Sequence, residues 1–138
     1  MDIRKDRTVK LGSVSKLFIK YVLPEFVSNR LLDSFGEYDF KTQTILIQNA
    51  LTDEDSCKTN LHEILHGCVR EAHLNQEGNP LANDTDEERV VAQFETQIYQ
   101  FFLDNPDEIA YIFYDILKNN PATRKLINTI RWVHFIKI

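Results

Sequence analysis

Residues 62–66 read H-E-I-L-H, an H-E-x-x-H sequence that combines two possible metal ligands with a carboxylate. On a helix, residues four apart lie on one face about 5–6 Å apart, so the imidazoles of His62 and His66 can bind one ion. Their nitrogens would bind Zn²⁺ at about 2.0–2.1 Å. Glu63 can take a proton from a water on that ion, where the pKa of water falls to about 7. The motif therefore predicts two zinc ligands and a general base for peptide hydrolysis, although an amphipathic helix with two surface histidines would contain the same residues.

A catalytic zinc site needs a third protein ligand in addition to water. His73 shares a helical face with His66, but seven residues at 1.5 Å each separate the two by about 10 Å. The longer metzincin pattern is absent, because Val69 and Ala72 stand where that pattern has glycine and histidine. We therefore expect His73 to lie on the surface.

Glutamates of the next predicted helix offer the ligand that completes a His₂Glu set. Glu87, Glu88 and Glu95 all lie on or beside the apolar face of that helix. A ligand near a helix start can reach over the preceding loop, which favours Glu87 and Glu88 over Glu95. Hydrophobic periodicity does not choose between the three glutamates. Each of them could also be a solvent-exposed acid with no metal-binding role.

The motif helix is predicted to begin after Thr52, a cap residue with an acid three positions later, and to continue to about Leu74. The two histidines lie on the flank of its apolar stripe, and the free thiol of Cys68 is predicted to be buried within it. The stripe consists of Leu61, Ile64, Leu65, Cys68 and Ala72.

Further helices are predicted from Asp84 to about Leu103, from Pro106 to about residue 120, and from Pro121 onward. Residues 132–138 continue the last helix or form a strand. The expected buried face of the helix that begins at Asp84 consists of Val90, Val91, Phe94, Ile98, Phe101 and Phe102.

The first part of the chain has the composition of strands. Residues 8–11 and 16–23 are predicted strands, and residues 36–40 and 43–48 are predicted to form a hairpin with a turn at residues 41–42. Residues 24–35 fit either a helical turn or an irregular segment. The predicted fold class is α+β, a small, mostly antiparallel sheet followed by a zincin-like helical half. The strand at residues 44–48, if at a sheet edge, could hold an extended substrate.

Composition indicates one globular domain over residues 1–138, with 43% hydrophobic and 11% aromatic residues. No apolar run approaches the roughly 20 residues that span a bilayer, so no membrane partner is expected. Two cysteines form no disulfide framework, and the charged N-terminus lacks a signal core, which together favour the cytoplasm. The ends are basic and the middle is acidic. This pattern indicates ends that pack on the middle rather than a nucleic-acid surface, since no nucleic-acid motif accompanies it.

Residues 61–66, 88–94 and 99–105 resemble small phage and prophage proteins with a zinc-peptidase domain, which are similar to the ImmA/IrrE metallopeptidases. Residues 36–39 and 45–47 also resemble the strands that precede the motif helix in that group. The resemblance covers about residues 35–106 and implies phage or prophage origin. It departs at Glu95, where these proteins usually carry alanine, and the chain has no helix-turn-helix segment of the repressor type.

The resemblance implies a third ligand and a function. In this group the ligand glutamate is followed, three and six residues later, by a small or branched apolar residue and an aromatic one. Glu88 fits, because Val91 and Phe94 occupy those places. The expected protein is a zinc metallopeptidase that acts on a peptide or protein, with Glu63 as general base. One Zn²⁺ per chain would be bound by His62, His66 and Glu88. The alternative is a non-catalytic, zinc-stabilised binding module of a mobile element, acting on protein or nucleic acid.

Overall fold

The computed structural model describes residues 4–12, 15–24 and 35–120. Within these residues four strands precede three helices, which confirms the predicted α+β class. The predictions for residues 121–138, and for most of residues 24–35, lie outside the described residues. The elements are β1 (Arg7–Leu11), β2 (Ser15–Val22), β3 (Gly36–Asp39), β4 (Thr44–Gln48), α1 (Asp53–Glu71), α2 (Asp84–Asp104) and α3 (Pro106–Lys118).

The four strands form one mixed sheet in the order β1-β2-β4-β3. The β1–β2 and β3–β4 pairs are antiparallel, the latter being the predicted hairpin, whereas β2 and β4 are parallel. Strand β4 therefore lies inside the sheet, with its backbone hydrogen bonds shared between two neighbours. The idea that residues 44–48 hold a substrate at a sheet edge is wrong for this reason.

One face of the two central strands forms the hydrophobic core. Leu17 and Ile19 of β2 alternate with exposed residues, and Ile45 and Ile47 of β4 alternate with half-buried residues. All four apolar side chains are buried and point to the same side of the sheet. Their register places Ile19 opposite Ile45. Helix α1 covers this side of the sheet, and Ile64 packs against the cluster.

The face that α1 turns to the sheet carries small and polar residues. The predicted apolar stripe is therefore wrong in part: Ile64 packs on the core, but Cys68 and Ala72 are exposed, and Cys68 is not a buried thiol. A Cβ atom on Gly67 would lie 2.7 Å from Leu11 Cδ1, so the helix axis is too close to the sheet for larger side chains. The buried residues of α1 are Ser56, Thr59, Glu63 and Gly67.

Local hydrogen bonds set the beginning of each helix near the site. The Thr52 hydroxyl accepts a bond of 3.1 Å from the Asp55 N–H and donates to the Asp55 carboxylate at 2.8 Å, as the capping pattern predicts. Asn83 caps α2, and its side-chain oxygen accepts from the Thr85 N–H at 2.8 Å.

Helix α1 ends three residues before the predicted Leu74. His73 takes the left-handed conformation, with φ 58°, and its N–H donates to the Arg70 carbonyl at 2.9 Å. The Leu74 N–H donates to the Val69 carbonyl at 3.0 Å, which completes a Schellman motif. His73 is thus a helix-terminating residue and is exposed, as predicted for a residue that does not bind the ion.

The chain divides into two compact units, residues 1–97 and 98–138. In the first unit, Val91 is the buried residue of α2, whereas Phe94 is 58% exposed. In the second unit, Phe101 and Phe102 are exposed as well. Three of the six residues predicted to form the buried face of α2 are therefore exposed, while Val90 and Ile98 are half-buried. The side of α2 that faces α1 carries Glu87 and Glu95 together with Val91, because these two carboxylates lie opposite the histidines of α1. None of the described helices is long and apolar enough to cross a bilayer.

Candidate metal centre

Helices α1 and α2 bring together the three residues that were predicted as metal ligands, His62, His66 and Glu88. The two histidine Nε2 atoms lie 3.2 Å apart. One oxygen of Glu88 is 3.2 Å from Nε2 of His62, and the other is 3.0 Å from Nε2 of His66. Three donor groups from two helices thus converge on one point.

The spacing of these donors fits a tetrahedral ion. Ligand atoms about 2.0–2.1 Å from a tetrahedral zinc ion lie about 3.3 Å from one another. The nearest distances among the three groups are 3.0 to 3.2 Å, close to that value. Two imidazoles and one carboxylate also form a donor set used by catalytic zinc sites, which keep the fourth position for water or substrate.

The remaining ring nitrogens of the two histidines face two further carboxylates. Nδ1 of His66 lies 2.7 Å from Oε1 of Glu87, and Nδ1 of His62 lies 3.5 Å from Oε2 of Glu95. The side chains of Glu87 and Glu95 are 12% and 18% exposed, whereas that of Glu88 is 59% exposed. The three glutamates that sequence reasoning weighed as alternatives therefore occupy different places around the same two histidines.

The helical spacing of α2 explains this arrangement. Glu87, Val91 and Glu95 are four residues apart, so they form one face of the helix, and this face is the more buried one. Glu88 follows Glu87 by one position and lies at the rim, where its carboxylate reaches both Nε2 atoms. The four-residue spacing was present in the sequence, but the larger apolar residues beside it gave the stronger periodic pattern.

Glu63, the predicted general base, is 8% exposed and belongs to the face of α1 that packs on the sheet. Burial raises the pKa of Glu63 to about 7; the nearby His66 acts to lower it, while the carboxylates of Glu88 and Glu37 raise it. A cation bound by the histidines would favour the charged carboxylate and lower this pKa. The value near 7 therefore describes Glu63 without a cation, and a bound cation would shift Glu63 towards the charged form that accepts a proton.

A cleft of about 360 Å³ opens beside His62. Glu63, His62 and Glu95 share this cleft, so the proposed base and one ligand face the same space. Gly36 of β3 forms part of its wall. The lining residues are Phe35, Gly36, Asp55, Lys58, Thr59, His62, Glu63 and Glu95.

Charge at the site favours a cation. Four carboxylates, those of Glu63, Glu87, Glu88 and Glu95, surround two imidazoles, and three of the four are largely buried. Carboxylates that share a partly buried site repel one another, and burial adds a further penalty unless an opposite charge lies close. A divalent cation at the Nε2 atoms would offset both penalties. The donor set, the spacing and the charge balance therefore all fit a bound metal ion.

Comparisons with known proteins assign no family to this chain. No protein-family model, curated protein or solved structure matches it. The function is therefore inferred from the residues of the site.

Proposed function

We propose that the protein is a zinc-dependent peptidase. The observation that carries this proposal is the convergence of both histidine Nε2 atoms and the Glu88 carboxylate, at 3.0 to 3.2 Å, next to a cleft that also contains Glu63. His62, His66 and Glu88 would hold one Zn²⁺ per chain. The resemblance of residues 35–106 to phage and prophage zinc peptidases supports the same reading.

The residues of the cleft account for the chemistry of peptide hydrolysis. When bound, the ion would act as a Lewis acid that activates water and polarises the scissile carbonyl. Glu63 accepts the proton of the attacking water and then gives it to the leaving amine, which is the role of a general acid–base carboxylate beside the reacting groups. Burial of Glu63 against the sheet keeps its side chain in one place for both transfers.

The cleft provides the space for a peptide or protein substrate. Its volume of about 360 Å³ accommodates a side chain or a few residues of extended chain. Lys58 and Asp55 supply both signs of charge on its wall, and Phe35 supplies an apolar surface. We further propose that the peptidase acts in the cytoplasm, and the resemblance implies that it is encoded by a phage or prophage.

The competing function is a zinc-stabilised binding module, because the three ligands join α1 to α2 and would stabilise that contact. Structural zinc sites are closed by four protein ligands. Within the part of the chain that the structure describes, three residues form the ligand group. An acid with the burial and the cleft position of Glu63 has no part in such a module, which favours the enzyme.

Replacement of Glu63 with glutamine distinguishes the two functions. The variant keeps the shape of the side chain but removes the base, so it should retain its zinc and lose about 10²–10⁴ in rate. Native and variant proteins would be incubated with bacterial lysates, and new peptide termini would be identified by mass spectrometry. Glu77→Gln, a change at an exposed loop residue, is the control and should cleave like the native protein. New termini that form equally with Glu63→Gln, or with neither protein in several lysates, would contradict the peptidase.

A further inference from the structure

Each histidine of the centre lies between two carboxylates. Glu88 faces the Nε2 atoms, whereas Nδ1 of His66 faces Glu87 at 2.7 Å and Nδ1 of His62 faces Glu95 at 3.5 Å. Both outer glutamates come from the buried face of α2 and are less than one fifth exposed. Carboxylates held in this way have few conformations available, so each is fixed opposite one histidine.

We propose that Glu87 and Glu95 are positioning residues for the metal centre. Glu87 holds His66 by accepting a hydrogen bond from its Nδ1–H, and Glu95 holds His62 through a longer electrostatic contact with its Nδ1. This inference rests on the proposed metal site. It assigns Glu87 and Glu95 a role different from that of Glu88, although all three were candidates for the third ligand.

A carboxylate opposite Nδ1 would fix both the tautomer and the orientation of the ligand imidazole. A neutral imidazole carries one proton, and a carboxylate opposite Nδ1 places it there, leaving the Nε2 lone pair for the ion. The same bond fixes the ring plane and raises the basicity of Nε2. The histidine rings are 67° apart in plane with centroids 4.9 Å apart, so neither ring supports the other by stacking face to face. The carboxylates opposite the Nδ1 atoms therefore supply a restraint on ring orientation that stacking does not.

The Glu87–His66 and Glu95–His62 contacts differ in length, and this difference predicts which glutamate matters more for zinc binding. The 2.7 Å contact of Glu87 with His66 has the length of a strong, charge-assisted hydrogen bond. The 3.5 Å separation of Glu95 from His62 is longer than such a bond. Loss of Glu87 is therefore expected to affect zinc binding more than loss of Glu95.

Zinc affinity provides the first test. Competition with a chromophoric chelator would compare the native protein with Glu87→Ala, Glu87→Gln and Glu95→Ala. Glu87→Ala should weaken zinc binding by about 10–100-fold, as is usual when an outer partner of a ligand histidine is removed, and Glu95→Ala should weaken it less. Glu87→Gln should recover most of the loss, because the amide oxygen still accepts from Nδ1–H. The control is Glu77→Ala, which removes one negative charge at an exposed loop position and should bind zinc like the native protein.

Imidazole proton resonances provide a second test that a general loss of stability would not reproduce. The chain has four histidines, so ¹⁵N-histidine labelling gives a spectrum in which each ring can be assigned by substitution. In the zinc-loaded protein, the Nδ1–H proton of His66 should be shifted downfield and should exchange slowly with water. Glu87→Ala should remove this signature from His66 alone, and Glu95→Ala should affect His62 alone.

The outcomes separate this inference from the metal site itself. Unchanged affinity and an unchanged His66 signal in Glu87→Ala, with zinc still bound by the native protein, would overturn the positioning role while leaving the metal site intact. Glu87→Gln as weak as Glu87→Ala would also overturn it, because the carboxylate would then act through its charge rather than its hydrogen bond. A native protein that takes up no zinc would refute the metal centre and the inference together.

Discussion

Replacement of Gly36 with alanine is expected to disturb the contact between β3 and α1 that holds Glu63 in place. The added Cβ atom would lie 2.5 Å from Thr59 Cγ2, 3.2 Å from the Leu46 carbonyl oxygen and 3.3 Å from Glu63 Oε1. Carbon atoms in normal contact are about 3.5–4.0 Å apart, so about 1 Å of overlap with Thr59 must be relieved. The neighbours include the backbone of β4 and the proposed base, which leaves little room to adjust.

The expected loss of stability follows from overpacking of this contact. Extra carbon atoms in a well-packed interior typically cost about 1–3 kcal/mol. For a domain of this length, each kcal/mol corresponds to roughly 3–5 °C in Tm, so Gly36→Ala should melt about 3–15 °C below the native protein. Thermal unfolding of the zinc-loaded proteins, followed by circular dichroism, measures the difference.

A second substitution tests whether the named atoms are responsible. Thr59→Ser removes Cγ2 and keeps the hydroxyl, so Gly36→Ala with Thr59→Ser should recover most of the lost Tm. Gly78→Ala is the control: this glycine has φ 84° and no neighbour within 4 Å, so alanine there is strained by its backbone and Thr59→Ser should not rescue it. A Gly36→Ala protein as stable as the native one, or one that Thr59→Ser does not restore, would refute the close packing of β3 on α1.

Three other predictions concern α1 and the centre. Gly67→Ala should destabilise the protein in urea, because contact with the leucines of the sheet outweighs the gain of about 1 kcal/mol in helix propensity; a more stable variant would contradict this. Glu88→Ala should lose more zinc affinity in chelator competition than Glu87→Ala, and the reverse order would exchange their roles. In a Cys57→Ser variant, Cys68 should react more slowly with a thiol reagent at neutral pH than free cysteine does, because partial desolvation of this exposed residue and the carboxylate of Glu71 raise the pKa of its thiol. That difference should shrink as the pH rises through its pKa, and an equal rate at neutral pH would count against it.

The local elements of the site were predictable from the sequence because short-range chemistry sets them. The Thr52 cap, the H-E-x-x-H spacing and the start of α2 each depend on side chains within about one helical turn. The strands match their predicted positions within one or two residues for the same reason. The local sequence pattern was therefore sufficient to predict the H-E-x-x-H motif and the helices around it.

The packing faces of the helices were not predictable from hydrophobic periodicity. Where a helix lies very close to its neighbour, the contact face carries small or polar residues instead of large apolar ones. Periodicity gives weight to large apolar residues, whereas α1 approaches the sheet through Thr59 and Gly67, whose small size permits the contact. On α2 the less exposed face includes Glu87 and Glu95, whose side chains are less than one fifth exposed because they face the histidines of α1. The parallel pairing of β2 with β4 was also missed, since it joins strands that are distant in the sequence.

X-ray absorption at the zinc edge tests the metal centre most directly. Protein purified without a histidine tag should contain one zinc ion per chain. Its first shell should contain two imidazole nitrogens and oxygen ligands at about 2.0–2.2 Å, and a His62→Ala, His66→Ala double variant should lose the ion. Absence of zinc from the native protein, or a sulfur neighbour at about 2.3 Å from Cys57 or Cys68, would contradict the site formed by His62, His66 and Glu88.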